Sequence, residues 1–383
     1  MRIVVAHPAG LMTGRAHDVF LFKECAALAE AGHEVTFLFG RTTTDEDELF
    51  RYHGRSAVDG LHLVQLPMLR RRRWPRLAWN LVFYRACLKR LRRMLAEDTI
   101  DVLYLSSVRL AEFLMRRLEL GRVPLVLEIH NLATDDPTSP DASLTASERF
   151  VFESVSALVT TTDALAAAIV RLGGLEREVI KVRMATDLPD VPARVPGRTP
   201  KRITYTGQLY PLQGIEVAIE AMVELPDCEL HLVGGRERDI ARLKTLAREL
   251  SVSERTVFHG HVAPAAVPGF MALSDVLILP SRDAERMPVV AHTKLYEYLA
   301  AGRPIVASNL PSIAEEVTDG TDAVLVMPDD SSALAGGIRQ VIEDPVLAGR
   351  IAERARRRTS EFTWTARADE LTRIFESKRD TDD

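Results

Sequence analysis

Short apolar runs alternate along the chain with longer segments whose apolar residues recur at helical spacing. In the first part of the chain, the runs with the length and β-branched content of buried strands are residues 2–6, 34–39, 61–66, 102–105, 125–129 and 158–161. Between the first two runs, apolar residues at helical spacing lead to Gly32, a typical residue for a helix end. Strand, helix and strand in this order predict a right-handed unit with parallel strands.

The same alternation starts again after a segment that is rich in proline. The prolines between residues 187 and 202 are Pro189, Pro192, Pro196 and Pro200. Because this density breaks helices and strands, it predicts an inter-domain linker over residues 189–201. Further strands are predicted at residues 203–207, 229–233, 257–258, 276–279, 304–307 and 324–326, with a helix over residues 215–223.

Two sets of alternating strands and helices predict an α/β fold with two Rossmann-like domains that face each other across a cleft. The N-terminal domain is predicted over residues 1–188 and the C-terminal domain over residues 202–360. At 383 residues the chain is also long for a single core. The first strand is not followed by Gly-x-Gly-x-x-Gly, which argues against a dinucleotide-dependent oxidoreductase.

Composition and charge argue against several other classes of protein. No uninterrupted apolar stretch reaches the length that a membrane-spanning helix needs. Residues 1–195 carry 26 basic against 25 acidic residues and residues 196–383 carry 23 against 29, so neither half has the charge of a general nucleic-acid binder. The cysteines Cys25, Cys87 and Cys228 show no paired spacing, which argues against disulfides and fits a reducing cytoplasm.

Residues 294–308 contain the most specific local pattern, a short helix followed by a glycine stop and a buried strand. Leu295 and Leu299 are four residues apart and share one face, which can pack on a sheet. Lys294 and Glu297 fall together on a different face, so one helical turn presents a cation and a carboxylate together. Taken alone, this pair is equally compatible with a solvent-exposed ion pair.

This segment resembles the donor site of retaining GT-B glycosyltransferases of family 4, also called glycosyl transferase group 1. Further similarity lies at residues 274–281, 309–317 and 362–368, and the resemblance extends from Met1 to about Phe375. It implies a nucleotide-sugar site in the C-terminal domain, an acceptor site in the N-terminal domain, and retention of the anomeric configuration without a metal ion or other cofactor. It also implies a terminal helix over residues 361–376 that crosses back to the N-terminal domain, before a frayed polar tail at residues 377–383.

The resemblance assigns roles to individual residues. In the family, a Glu at the position of Glu297 binds the ribose hydroxyls of the donor, and a His at the position of His130 faces the donor sugar. The other expected donor contacts are Gly207, Gln208, Gln213, Gly234, Ser281, Arg282, Met287, Pro288 and Val289, with backbone N–H groups of residues 287–290 assisting departure of the diphosphate.

Two interpretations from the residues themselves stay open beside these roles. His130 follows a buried strand, where parallel sheets bind ligands, but it could also simply cap the strand end. Gly10, Gly14 and Arg15 would form a loop that approaches a phosphate or the acceptor, although isolated glycines also suit a plain turn.

Three positions depart from the family's pattern. Gln208 and Gln213 stand where the family usually has Arg and Lys, so neutral amides replace two cations that bind the diphosphate. Val289 stands where a first Glu would contact the donor sugar. Glu285 could replace that carboxylate if the loop differs in length, whereas one branch of the family uses Lys-x-x-Glu alone. On the latter interpretation, Lys294 supplies the positive charge that the diphosphate needs.

Residues 70–93 hold ten Arg or Lys and no acidic residue. Their apolar spacing predicts a helix with one buried stripe, formed by Leu77, Leu81, Tyr84, Leu88, Leu91 and Leu95. Trp79 and Phe83 project nearly opposite that stripe. The predicted surface for an anionic membrane consists of Arg70, Arg71, Arg72, Arg73, Trp74, Trp79 and Phe83. An ordinary solvated basic face is the alternative, although membrane-associated members of the resembled family use this region for lipid-linked acceptors.

The sequence therefore predicts a cytoplasmic glycosyltransferase, peripheral at the inner face of the cell membrane. Its expected acceptor is a glycan, a lipid-linked sugar or a small molecule, in surface polysaccharide or glycoconjugate synthesis. His130, Lys294 and Glu297 are its expected catalytic residues. The departures from the family pattern keep two alternatives open: a catalytically silent GT-B module that binds a partner enzyme or a membrane, and a GT-B sugar-nucleotide epimerase.

Overall fold

A computed structural model describes residues 1–11, 16–41, 45–68, 80–187, 200–263 and 266–379. The strands of the N-terminal domain are β1 (Arg2–His7), β2 (Glu34–Gly40), β3 (Leu61–Leu66), β4 (Val102–Leu105), β5 (Leu125–Ile129), β6 (Ala157–Thr160) and β7 (Ile180–Lys181). Its helices are α1 (Ala16–Glu30), α2 (Glu46–Tyr52), α3 (Asn80–Ala96), α4 (Val108–Met115), α5 (Ala146–Ser154) and α6 (Asp163–Gly173). The sheet is parallel, in the order β3-β2-β1-β4-β5-β6-β7.

The C-terminal domain repeats this architecture. Its strands are β8 (Lys201–Thr206), β9 (Cys228–Val233), β10 (Thr256–Gly260), β11 (Val276–Leu279), β12 (Ile305–Ser308) and β13 (Val324–Val326). The helices that follow β8 are α7 (Ile215–Ala221), α8 (Glu237–Glu249), α9 (Val267–Ala272), α10 (Thr293–Ala301), α11 (Pro311–Ala314), α12 (Ser331–Glu343), α13 (Pro345–Arg358) and α14 (Trp364–Arg379). This sheet is also parallel, in the order β10-β9-β8-β11-β12-β13. The predicted two-domain α/β fold is therefore confirmed.

In both sheets the strand order reverses beside the first strand of the domain. β1 lies between β2 and β4, and β8 lies between β9 and β11. The connections on either side leave in opposite directions, and this opens a crevice at the carboxyl ends of the strands. His7 is the last residue of β1 and Gly207 directly follows β8, so each domain places a residue at its crevice.

The two domains contact each other beside these crevices. The hydroxyl group of Thr162 donates to the backbone carbonyl of Val289 at 2.5 Å. The carboxylate of Glu315 accepts from the backbone N–H groups of Asp163 and Ala164 at 2.9 and 3.0 Å, in the first turn of α6. The first N–H groups of a helix lack partners within the helix and attract negative charge. A side chain of the C-terminal domain therefore accepts the hydrogen bonds of the first N–H groups of a helix in the N-terminal domain.

The terminal helix α14 crosses back to the N-terminal domain, as predicted, and its Arg367 is buried there. The Nε group donates to the carboxylate of Glu24 at 2.6 Å, and Nη2 donates to both oxygens of Glu128 at 2.6 Å. Nη1 donates to the backbone carbonyls of Val182 and Arg183 at 2.9 and 2.5 Å. A guanidinium has five N–H donors, so every one has an acceptor, and α14 is held by a fully bonded buried cation.

The expected membrane surface is contradicted at one position. Phe83 is fully buried in α3, together with Cys87 and Leu91. The leucines alone predict too narrow a stripe, since the apolar residues Phe83, Cys87 and Met94 widen the buried face of this helix. Phe83 therefore cannot contact a membrane. The other residues of that surface, Arg70, Arg71, Arg72, Arg73, Trp74 and Trp79, lie outside the described residues.

The predicted domain bounds need two corrections. Lys201 already belongs to β8, so the predicted linker ends at least one residue too late. Helix α14 continues to Arg379, so the prediction of a frayed tail is wrong for residues 377–379. Lys378 and Arg379 occupy the last turn, where positive charge stabilises the negative end of a helix. Residues 189–199 of the linker and 380–383 of the tail lie outside the described residues. Among the helices described, none has both the length and the apolar character needed to cross a membrane.

Replacing Glu24 by Gln should make stability less dependent on pH. Burial raises the pKa of Glu24 to about 7; Arg367 opposes this shift and Glu128 adds to it. The folded protein thus binds this proton more tightly than the unfolded chain, whose carboxyl pKa lies near 4.5. The stabilisation from the bound proton is fully present below the unfolded pKa and is lost as the pH rises through the folded pKa.

Thermal unfolding between about pH 5 and pH 8 measures this effect, and the wild type should lose on the order of 1–3 kcal/mol from this group. Glu24→Gln carries no such proton and should lose less over the same interval. Glu153 lies exposed on α5, so Glu153→Gln should follow the wild type and serves as the control. A Glu24→Gln curve parallel to that of the wild type would contradict the assignment.

Candidate functional site between the domains

The carboxyl ends of β1, β4, β5 and β6 border a cavity of about 420 Å³. Its lining from the N-terminal domain mixes apolar side chains with polar ones, and the polar ones include His7, His17, Ser106, His130, Asn131 and Thr161. Ala291 and Thr293 of the C-terminal domain also line it, so the cavity lies between the domains. Polar groups that converge in such a cleft can bind the hydroxyl groups of a ligand.

His130 directly follows β5, and about a fifth of its side chain (20%) is exposed. Its Nε2 atom lies 2.9 Å from Oε1 of Glu128, a fully buried carboxylate on the same strand. Two further rings pack against it edge to face, with centroid distances of 4.7 Å to His17 and 5.6 Å to Phe20. His130 is therefore presented to the cavity as the sequence predicts, on a support of buried side chains.

His17 is a cavity residue that the sequence interpretation missed. Its Nε2 atom lies 3.2 Å from the hydroxyl oxygen of Ser106. Burial, followed by the neighbouring His130 and His7, lowers the pKa of His17 to about 2, so its ring is neutral. The signal was its place in the first turn of α1, because residues after the first strand of a parallel sheet lie at the crevice.

On the opposite domain, Lys294 of α10 lies along the backbone of the loop that follows β8. A Cβ atom added to Gly207, whose φ is +129°, would overlap the Lys294 side chain. A Cβ atom added to Gly234, whose φ is +113°, would overlap the backbone carbonyl of Gly207. Only glycine permits such backbone angles together with such close approach, so both positions need it.

Gln213 joins this loop to Lys294. Its side-chain oxygen accepts from Lys294 Nζ at 3.1 Å and from the Tyr205 hydroxyl at 2.8 Å. The Tyr205 hydroxyl also lies 2.8 Å from the backbone carbonyl of Gln208. The buried side-chain oxygen of Gln208 accepts no hydrogen bond from the residues that the structure describes. The ammonium group of Lys294 thus lies beside the position at which the resembled family carries a lysine.

Lys294 and Glu297 lie one turn apart on α10 and both are half-buried. Burial lowers the pKa of Lys294 and Glu297 opposes that shift, while burial raises the pKa of Glu297 and Lys294 opposes that one. In the described part of the chain, no hydrogen bond or ion pair engages the Glu297 carboxylate. The acid is thereby left as an acceptor for a ligand.

The predicted donor residues after β11 differ in their surroundings. Ser281 is buried, and its hydroxyl oxygen lies 3.3 Å from Nδ1 of His292. The Nε group of Arg282 donates to Asp329 at 2.6 Å, so this cation is already paired. Glu285 is exposed in a left-handed backbone conformation, with φ at +51°. Among the described residues, no hydrogen bond or ion pair joins Glu285 to Lys294 or Glu297.

The loop from Met287 to Val290 departs from expectation. The N–H groups of Met287, Val289 and Val290 already donate to carbonyls of residues 284–286, at 3.1 to 3.2 Å. In this arrangement each of these N–H groups already has an acceptor within the loop, so the loop would have to change its hydrogen bonds for them to bind a diphosphate. Met287, Pro288 and Val289 are buried, and Val289 packs among apolar residues of the N-terminal domain. The valine that replaces the expected Glu therefore joins the domains.

The loop after β1 is described only in part. Gly10 is half-buried, and the neighbouring Ala9 carbonyl accepts from the N–H group of Gly40 at 3.0 Å. Gly14 and Arg15 lie outside the described residues. In the part of the chain that the structure describes, no group of three or more His, Cys, Asp and Glu side chains is arranged to hold a metal ion.

Comparison with known proteins gives matches over most of the chain. A family model described as "Glycosyl transferases group 1" matches residues 192–358, and one described as "Glycosyl transferase 4-like domain" matches residues 19–184. The glycogen synthase of Mycobacterium tuberculosis is 27% identical over 371 residues, which cover 91% of this chain and 88% of that protein. The phosphatidyl-myo-inositol mannosyltransferase of Mycolicibacterium smegmatis is 26% identical over 365 residues, covering 91% and 87%.

Solved structures share the arrangement of both domains. The sucrose-phosphate synthase from Thermosynechococcus elongatus has a TM-score of 0.76 at 18% identity, and the match covers 98% of each chain. HepE from Anabaena, solved in complex with UDP and glucose, has a TM-score of 0.75 at 17% identity, covering 98% of this chain and 100% of that chain. At these identities the likeness establishes the fold.

Substituting Ala for Gly207 should destabilise the protein through its contact with Lys294. The added Cβ atom would overlap the lysine side chain and require an unfavourable φ of +129°, so we expect a loss of about 1–3 kcal/mol in unfolding free energy. Urea unfolding measures the loss. In the Lys294→Ala background the overlapping side chain is absent, so Gly207→Ala should there cost less and report only the strained backbone. Equal losses in the two backgrounds would show that the lysine does not press on Gly207.

Proposed function

Because the chain belongs to the GT-B glycosyltransferases of family 4, we propose that it transfers a sugar from a nucleoside diphosphate to an acceptor hydroxyl, with retention and without a metal ion. One observation carries this proposal: α10 connects the two halves of the site. Its first residue, Thr293, lines the cavity of His130, while the next, Lys294, lies against the Gly207 loop. Glu297 follows one turn later on the same helix.

The donor's diphosphate would lie at the start of α10, beside Lys294. A helix N-terminus attracts an anion, and the lysine adds a full positive charge at the same place. Gln213 orients the ammonium group through the 3.1 Å hydrogen bond. This arrangement supports the Lys-x-x-Glu interpretation, in which the helix supplies the cation that Gln208 and Gln213 lack. The carboxylate of Glu297 would accept hydrogen bonds from the ribose hydroxyls.

The transfer would take place between this helix and His130. The bond between the anomeric carbon and the diphosphate oxygen breaks, and its electron pair stays on the diphosphate. The acceptor oxygen bonds to the anomeric carbon from the same face, and its proton passes to the leaving phosphate oxygen. Lys294 would stabilise the growing negative charge, which is electrostatic catalysis. The anomeric configuration of the product, read by NMR, tests retention.

The acceptor would occupy the cavity that His130 lines, on the side of the N-terminal domain. The side chains His7, His17 and Ser106 offer hydrogen bonds there, and His17 carries no charge. This lining suits a hydroxyl-bearing acceptor such as a glycan, a lipid-linked sugar or a small glycoside. Among the relatives, one is named a glycogen synthase and another a phosphatidyl-myo-inositol mannosyltransferase. These names point to a glycan acceptor in one similar protein and a lipid acceptor in the other. A role in surface polysaccharide or glycoconjugate synthesis, at the inner face of the membrane, is part of this proposal.

Nucleotide binding tests the proposed donor site. Thermal unfolding is measured with UDP, GDP, ADP, dTDP and CMP in the presence of EDTA. A ligand that binds only the folded state stabilises it by about 2.7 kcal/mol at a hundredfold excess over Kd. We expect one nucleoside diphosphate to stabilise the wild type. Its 2′,3′-dideoxy form, which lacks the ribose hydroxyls, should stabilise the wild type less. In Glu297→Ala the two forms should act alike, because the ribose contact is gone, whereas Glu153→Gln should behave as the wild type.

No stabilisation by any nucleotide would contradict the donor site and favour the catalytically silent binding module. Stabilisation that EDTA abolishes would contradict the metal-free mechanism. If Glu297→Ala distinguished the ribose form from the dideoxy form as strongly as the wild type does, Glu297 would not be the residue that binds the ribose. The donor site itself would not be contradicted.

Lys294→Ala should weaken binding of the stabilising nucleoside diphosphate by roughly tenfold or more, since a charge-assisted hydrogen bond contributes about 1.5–3 kcal/mol. Affinity for the matching nucleoside, which lacks the diphosphate, should change little. Isothermal titration calorimetry measures both values. Lys244 is an exposed lysine on α8, and Lys244→Ala serves as the control. An unchanged diphosphate affinity in Lys294→Ala would show that this lysine does not hold the phosphate.

A further inference from the structure

The ring of His130 is connected to the terminal helix through a single carboxylate oxygen. Oε1 of Glu128 lies 2.9 Å from Nε2 of His130 and accepts from Nη2 of Arg367 at 2.6 Å. Glu128 and His130 are two residues apart along an extended segment, so their side chains leave on the same side. The charge that docks α14 is thus in direct contact with the cavity histidine.

A second line of contacts joins the same two parts. The ring of Phe20 lies 5.6 Å from the His130 ring and 5.1 Å from the Trp364 ring, between centroids. The guanidinium carbon of Arg367 lies 4.8 Å from the Phe20 centroid. Trp364 and Arg367 occupy the first turns of α14. Trp364 packs against Phe20, and Arg367 contacts both Phe20 and Glu128, the two buried side chains that support the His130 ring. A displacement of this helix would therefore displace the ring.

The charges of the network favour a fixed geometry. Burial alone would raise the pKa of Glu128, but Arg367 and His130 hold it well below its usual range, so the carboxylate stays ionised. A buried ion pair is costly to desolvate, and apolar residues of similar volume often stabilise a fold equally well. Docking α14 therefore does not by itself require this pair. The close approach of the Glu128 carboxylate to the ring does restrict where the ring can lie.

We propose that Arg367 and Glu128 are positioning residues for His130, so that docking of the terminal helix sets the orientation of the histidine in the active site. Its catalytic consequence rests on the proposed glycosyltransferase function. Neither residue lines the cavity, and both act through the imidazole ring. The part of the chain that ends the C-terminal domain thereby controls a group of the N-terminal domain.

The experiment reads the His130 ring directly. The full-length protein is labelled with ¹³C at the histidine Cε1 atoms, and His130→Gln assigns the His130 signal. Arg367→Lys keeps the charge but loses the two-oxygen contact, and Glu128→Gln keeps the shape but loses the charge. We expect both variants to shift or broaden the His130 signal. Arg373 is exposed on α14, so Arg373→Lys should leave the signal in place, and the distant His259 reports whether the fold is intact.

Turnover with the nucleotide sugar provides the second readout. In Glu128→Gln, kcat should fall roughly tenfold or more while the Kd of the nucleotide donor stays within about twofold. Added to His130→Gln, the Glu128→Gln substitution should cause no further loss, since it acts through the ring. A purely structural role would instead reduce the melting temperature and add to the His130→Gln effect.

An unchanged His130 signal in both folded variants would overturn the proposal. A shifted signal with full turnover would overturn it as well, because the orientation would then have no catalytic effect. A wild type that transfers no sugar from any nucleotide donor would refute the proposed function instead. In that case the ring signal alone decides whether α14 orients His130.

Discussion

A single buried guanidinium connects the end of the chain to its beginning. Arg367 contacts carboxylates of α1 and β5 and the backbone after β7, and these elements come from three separate parts of the N-terminal domain. Burial raises the pKa of Glu24 to about 7; Arg367 opposes that shift and the second carboxylate, Glu128, adds to it. Because α14 follows the C-terminal domain in the chain, the contacts of Arg367 join the two domains.

The half of the site in the C-terminal domain lacks positive charge in the loop after β8. A diphosphate needs positive charge, and the loop after β8 offers only the amides of Gln208 and Gln213. The structure places the ammonium group of Lys294 against that loop, from a helix that comes much later in the chain. The positive charge beside the loop therefore comes from α10 and not from the loop itself. Gly207 makes this possible because it leaves room for the lysine side chain.

The alternation of strands and helices is a local signal, and it predicts the strands of both sheets except the two-residue edge strand β7, together with the Gly302 end of α10. Placement of His130 at a strand end also follows from sequence patterns. The replacement of the missing cations by Lys294 is a hypothesis from charge balance, and its contact with Gln213 is visible only in the structure. Side-chain contacts between distant segments do not follow from such patterns. The pairing of Glu128 with Arg367 joins residues 239 positions apart, and neither shows any local pattern that predicts a partner. Phe83 was misplaced because leucine spacing alone underestimates how wide a helix face the core can cover.

Val289 belongs to the C-terminal domain by its place in the chain, yet its side chain lies in the core of the N-terminal domain. Its carbonyl group is also held there by Thr162. If the domains separate, the segment that carries it must either leave that core, at a cost of about 1–3 kcal/mol, or move with the opposite domain. In the second case it would be drawn away from α10. Opening of the cleft would therefore also change the shape of the donor pocket, because the segment of Val289 contacts both domains.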